Sequence, residues 1–401
     1  MCCNQAFNSN TKQNFIMKKA FTTAFYLLLG FSSFSQEKTE DKGKFTFSGY
    51  IDSYYMANFN NPTDRSNLGA SGTARAFDQR SGQFSLGLVQ TKIGYSTAKS
   101  DVVVDLTFGP NADLGQYGNL IGPLGRGTTA LAIKQAYYNW KATNKLTLTA
   151  GQFGTHIGYE VIDAPVNYHY SLSNLFNNGP FYHIGVKAAY AFSDKFSIMG
   201  GFINNIDNLN DNNGQIGLIT QVFVQPAKGL NVYLNAITSN EASTDPKTGK
   251  TPNGQYSLLD FVATYQITDK FSLGLNAATG VQDVNGDGKY DKESWGGFAI
   301  YPKYDISSTF SFGARYESFD NSNAVRGLVI PTRDAEGNIT STTGVSVSSI
   351  TLTPSITVAD GHILLKPELR IDTFDKNFFT NGDGKETKSQ TTLGLAMIYK
   401  F

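Results

Sequence analysis

Asp163, His169 and Ser171 bring a carboxylate, an imidazole and a hydroxyl into one short stretch. Those are the groups of nucleophilic hydrolysis, in which the imidazole takes the hydroxyl proton and the acid orients the imidazole. Residues so common in loops meet in this way by coincidence, and an outer-membrane hydrolase is kept only as a minor alternative. The other histidines, His156, His183 and His362, are scattered, with no metal-binding pair at helical spacing. Divalent-cation chemistry has better support. Asp283, Asn285, Asp287 and Asp291, in the run Asp283-Val284-Asn285-Gly286-Asp287-Gly288-Lys289-Tyr290-Asp291, fill the first, third, fifth and ninth positions of a calcium loop, with glycine at the sixth. The twelfth position is Ser294 in place of the bidentate glutamate, and Glu293 comes one residue early. A polar hairpin that uses Asn and Gly for its turn accounts for the same run. Ca2+ in an extracellular loop is the one cofactor expectation; no other cofactor is expected.

The third chemistry is fixed charge on a wall, and it depends on the elements that carry the charges. From residue 44 to 401 the chain repeats, about sixteen times, a segment of roughly ten to thirteen residues with apolar side chains at every second position. Tight links recur at Ala98-Lys99-Ser100, Thr143-Asn144-Lys145, Ser193-Asp194-Lys195, Ala227-Lys228-Gly229, Thr268-Asp269-Lys270, Ser307-Ser308-Thr309 and Ala359-Asp360-Gly361. Long connections fall near residues 60–82, 110–130, 154–180, 205–213, 239–255, 282–292, 320–344 and 375–388. The two kinds alternate. Soluble strands average about five to six residues, whereas a bilayer needs about nine to eleven tilted ones. The pattern therefore predicts an all-β fold: a closed antiparallel transmembrane β-barrel of about sixteen strands, with short periplasmic turns and long extracellular loops. Pro302, Pro354 and Pro367 fall inside strands, where bulges or boundary errors are expected. Aromatics at Tyr54, Tyr55, Phe59, Tyr137, Tyr138, Trp140, Tyr301, Tyr304, Phe310, Phe312, Tyr399 and Phe401 suit the two membrane–water interfaces.

Alternation then assigns the charges. Asp52, Lys92, Asp105, Lys134, Lys187, Asp260, Lys303, Asp305, Arg315, Glu317, Lys366, Glu368, Arg370 and Asp372 point inward and line the pore. Seven are basic and seven acidic, so charge selectivity is slight unless the signs segregate on opposite walls. Paired charges that merely solvate the wall are the competing reading. The connection 154–180 is rich in rings, and it is expected to fold inward and narrow the lumen with Glu160, Asp163, Asn167 and His169. Packing outside, at a subunit contact, is the alternative.

Charged residues are 16% of the chain and aromatics 13%, a balance suited to a lipid-facing surface and unlike a disordered chain. Net charge is zero, which leaves no basic field for nucleic acid. Met17-Lys18-Lys19 begins a basic region, 20–34 is apolar, and Ser33 and Ser35 precede a cut at Gln36. Residues 17–35 thus read as a signal peptide for export, 1–16 as an over-extended or dispensable leader and 36–43 as a short periplasmic tether. Residues 44–401 are expected to form the barrel, with no plug domain ahead of it. Both cysteines, Cys2 and Cys3, lie in the leader. No apolar run after the signal is long enough for a transmembrane helix.

Two stretches resemble known proteins. Leu393, Leu395, Met397, Tyr399 and the terminal Phe401 alternate along the last segment, which looks like the C-terminal signal read by the barrel-assembly machinery of bacterial outer membranes. The run Gly151-Gln152-Phe153, Ile157-Gly158-Tyr159-Glu160, Ala164-Pro165-Val166-Asn167-Tyr168, Tyr170-Ser171, Gly179-Pro180-Phe181 and His183-Ile184-Gly185-Val186 resembles the OmpL-like β-barrel porins common in Bacteroidota. That resemblance implies an outer-membrane channel of general porin type, and it narrows the class and not the solute. The expectation is a barrel in outer-membrane lipid that passes small hydrophilic solutes by diffusion, not an enzyme. An adhesin or structural barrel acting through its extracellular loops is the alternative. A homotrimer suits a barrel of this size, and no residue in the sequence specifies it.

Overall fold

The structure, a computed structural model, describes residues 43–115, 132–283 and 293–401. The leader, the signal peptide and all but the last residue of the tether lie outside the described residues. So do Asn285, Asp287 and Asp291 of the calcium-like run.

Alternating apolar residues with high β-propensity form long strands here because a closed ring satisfies every strand edge. β1 (Lys44–Asn58), β2 (Phe84–Ser96), β3 (Ser100–Phe108), β4 (Ala132–Lys141) and β5 (Leu146–Gly154) lead into β6 (Tyr182–Ser193), β7 (Phe196–Ile206), β8 (Gly217–Ala227) and β9 (Leu230–Asn240). β10 (Gln255–Gln266), β11 (Phe271–Gln282), β12 (Ser294–Asp305) and β13 (Phe310–Asn321) follow. β15 (Ile339–Val358), β16 (Ile363–Phe374) and β19 (Ser389–Lys400) complete a ring of sixteen antiparallel strands. β14 (Val329–Arg333), β17 (Phe379–Thr380) and β18 (Glu386–Thr387) are short hairpin strands within two of the connections. The ring closes where β1 pairs with β19, from Tyr50 opposite Lys400 to Asn58 opposite Thr392. Connections of two to four residues alternate with connections of ten or more, which gives the ring a turn end and a loop end. In the two-residue turn between β8 and β9 glycine supplies the left-handed backbone, at Gly229 with φ +79°.

Three expectations need correction. The connection expected at 320–344 is largely a hairpin: β14 pairs with the first part of β15, which runs for 20 residues. The prolines cause no bulge and end no strand. Between β15 and β16 the pairing stops at Leu352–Leu369 and resumes in the same register at Ile356–Leu365. Pro354 and Pro367 face each other in that gap, where neither has an N–H to donate. The third concerns the rings: Tyr54 and Tyr301 are buried and inward, unlike Tyr55, Phe59, Tyr138, Trp140, Tyr304, Phe310, Phe312, Tyr399 and Phe401, which are exposed. Most of the outer rings gather near the turn end.

Outward positions are the exposed apolar ones, such as Phe202, Leu218, Leu234, Leu259, Leu393, Leu395 and Met397. Inward positions are buried, and they are only partly polar. Met199, Ile203, Ile219, Ile237, Leu258, Trp295 and Phe319 form an apolar cluster inside the ring together with Phe153, Ile157 and Leu175. Alternation alone gave no warning of this second apolar surface.

Candidate functional site

The connection 155–181 lies within the ring and is held by the wall through its peptide groups. Glu317 accepts hydrogen bonds from the backbone N–H of Asn174 (2.9 Å) and Leu175 (2.9 Å), and Glu368 accepts from those of Tyr170 (2.7 Å) and Ser171 (2.9 Å). The cations take the carbonyls. Arg315 donates to Ser171 O (2.7 Å), Arg370 to Leu172 O (2.6 Å), and Lys366 to Ala164 O (2.8 Å) and Asn167 O (2.5 Å). Across the ring, Asp260 accepts from Gly158 N (3.0 Å), Asn235 (2.8 Å) and Asn276 (2.5 Å). A charged side chain bonded to buried backbone is worth more than a neutral pair, and it costs more to break.

Side chains of the connection complete the arrangement. Glu160 pairs with Arg315 at 2.6 Å and accepts from Ser173 N at 2.8 Å. Asp163 bonds Lys134 (2.5 Å) and Gln90 (2.6 Å), and Lys134 also meets Asp105 at 3.1 Å. Asn167 folds back on Val161, whose N–H it accepts at 3.0 Å. His169 is buried, with Nδ1 2.7 Å from Thr353 Oγ1. Asp163, His169 and Ser171 are each engaged elsewhere, so the hydrolytic set is not assembled. His156 is held well below the ordinary imidazole value, at about 4, by burial and next by the nearby Lys187 ammonium.

The remaining wall charges fall as follows. Asp52 and Asp372 are buried; Asp52 accepts from Leu88 N at 2.6 Å, and Asp372 bonds Arg370 at 2.8 Å. Lys187 sits 4.2 Å from the centre of the Phe153 ring. Lys303 and Asp305 pair at 2.8 Å, each about one third exposed. Lys92 shares the parity of the buried Leu88 and Gln90 and is exposed. Lys134 owes its inward position to a register shift opposite Asp105 and Leu106, where Gln135 and Ile133 pair and Lys134 does not. With Tyr138 and Trp140 outward, strict alternation would have sent Lys134 to lipid. Of the calcium-like run, Asp283 is buried and accepts from Asn253 Nδ2 at 2.7 Å.

Residues 44–401 match the family described as "Putative beta-barrel porin-2, OmpL-like". The chain belongs to this porin family. No curated protein matches it. Among solved structures it is similar to OmpT, an outer membrane protein of Vibrio cholerae in its trimer form (TM-score 0.55, 13% identity, 90% of this chain and 100% of that one). It is also similar to the anion-selective porin from Comamonas acidovorans (TM-score 0.55, 11% identity, 90% and 100%) and to the outer membrane channel DcaP of Acinetobacter baumannii (TM-score 0.54, 12% identity, 92% and 100%). These likenesses are of fold. The protein is an outer-membrane porin.

Sequence reasoning missed a second contribution to the porin's interior. Arg75, from the connection between β1 and β2, is buried and bonds Asp78 (2.9 Å), Asp372 (2.8 Å) and Thr392 Oγ1 (3.1 Å). That connection touches the first one directly, through Asn177 Nδ2 to Thr73 O at 2.7 Å. One available signal was the arginine-rich stretch 65–80. Glycine at inward wall positions was the other overlooked sign. A Cβ at Gly274 or Gly313 would enter the rings of Tyr159 or Tyr168.

Proposed function

We propose that this porin passes small hydrophilic solutes by passive diffusion, with the connection 155–181 narrowing the lumen and the fourteen inward charges forming its wall. Glu160, Asp163, Asn167 and His169 belong to that constriction. The single observation that carries the reading is the capture of the connection's backbone by Arg315, Glu317, Lys366, Glu368 and Arg370. Acids and bases alternate along β16, so the wall favours neither ion strongly. The turn end faces the periplasm and the loop end the exterior, as expected where one rim carries only tight turns. Leu393, Leu395, Met397, Tyr399 and Phe401 present the outward face that the barrel-assembly machinery would read and lipid would cover. The resemblance over residues 151–186 points to a Bacteroidota source. Trimerisation is proposed from the trimer form of the similar OmpT. Ca2+ at residues 283–291 remains a proposal on sequence grounds alone, and no catalytic step is assigned.

Refolded protein in planar bilayers should show stepwise openings, and deleting residues 160–176 should enlarge them. Unchanged conductance in the deletion would remove the constriction role. A second reading, a binding barrel with a blocked lumen, draws on the deep burial of the interior side chains. Electrical silence of both proteins would favour it.

A further inference from the structure

At the turn end of the ring a cavity of about 510 Å³ opens between the inner connection, β12, β13, β15 and the turn 306–309. Its size is that of a small-molecule site, about 300–1,000 Å³. The Tyr168 ring lies against Gly313, where a side chain would collide with it. The Tyr168 hydroxyl donates to Thr353 O (3.1 Å) and lies 3.2 Å from Ser311 Oγ, so the ring is held at its hydroxyl as well. The Lys303 ammonium lies over the ring at 5.8 Å from its centre and pairs with Asp305 at 2.8 Å. Pro165 and Val166 bound the same cavity, and Val166 is 71% exposed although its connection lies inside the ring.

We infer that this cavity is a subsite for neutral saccharides of one or two rings. The inference rests on the diffusion reading above and names the solute class. A pyranose has an apolar C–H face and a rim of vicinal hydroxyls. A rigid aromatic ring and nearby aliphatic carbons suit the first. An adjacent carboxylate and ammonium suit the second, since one accepts and the other donates. The pair is neutral as a unit. An anion entering the cavity would compete with Asp305 for Lys303; Lys366 is already committed to the carbonyls of Ala164 and Asn167, and Lys400 is the third cation of the lining. Serine and threonine hydroxyls along the rest of the lining add further uncharged partners, such as Ser307 and Thr357.

The test is equilibrium binding to the refolded chain in a detergent without a sugar headgroup. Isothermal titration with maltose should give saturable, millimolar binding. Tyr168→Ala and Asp305→Ala should each weaken it at least about tenfold. A heat-shifted band on a denaturing gel reports that each variant is folded, and Asp305→Ala serves if Tyr168→Ala is not. Absence of saturable maltose binding overturns the inference, as does equal affinity in the folded variants. Saturable binding of inorganic phosphate or glycine in place of maltose overturns it too. Because binding is read without current, a barrel that binds maltose but passes no ions would count against diffusion alone. One that conducts without binding maltose would count against the saccharide site alone.

Discussion

Glu317 shows how much one wall residue holds. Its carboxylate takes three donors from the inner connection: two backbone N–H groups and the Asn174 amide at 2.8 Å. Glu317→Ala strands all three beside buried cations, at a cost of roughly 3–5 kcal/mol. The connection should then become accessible to chymotrypsin at Tyr159, Tyr168 or Tyr170; continued resistance would argue that the apolar contacts suffice to hold it. His156 sets a pH response. Its folded value of about 4 lies below the ordinary 6.5, so the unfolded chain takes up a proton that the folded one refuses. Stability should therefore fall as pH drops from about 6.5 toward about 4, and His156→Phe should flatten that slope in a thermal-melt series. An unaltered slope would locate the response elsewhere. At this scale the sequence was legible wherever alternation was regular. Lys366, Glu368, Arg370 and Asp372 follow from the pleat alone, whereas the inward turn of Lys134 needs a register shift that composition does not mark.

Strands and turns were the most readable level, because tight turns demand Asn, Asp or Gly and lipid demands apolar residues at every second position. The part that escaped was the extension of β15 beyond its pairing with β13 and β16. Residues 339–349 are mostly Ser, Thr and Gly with Val interspersed, and an outward face in water need not be apolar. That run looks like loop and forms strand because Thr and Val suit an extended backbone. The paired prolines yield a prediction here. A double Pro354→Ala, Pro367→Ala variant restores two donors to the β15–β16 ladder, each worth about 1 kcal/mol. Its unfolding midpoint in denaturant should rise, and a fall would show that the prolines relieve strain at that point.

For the molecule as a whole, closure carries the fold. β19 pairs with β16 on one side and β1 on the other, so removing residues 389–401 leaves two open edges. The truncated chain should lose the compact, heat-shifted band on a denaturing gel that the intact barrel gives; a retained band would mean that the remaining strands close without it. The filling of the ring was the least legible feature, since contacts between distant connections, such as Arg75 with Asp372, leave no local trace in the sequence. The manner of that filling has a further consequence. Peptide groups are the same whatever side chain they carry, proline apart, so a scaffold that grips them is indifferent to substitution wherever the strap's own side chain is exposed. Pro165 and Val166, which lie between the two carbonyls that Lys366 holds, can therefore be rewritten toward a new cargo while the strap stays seated, and tuning what the barrel admits need not reopen the question of whether it folds.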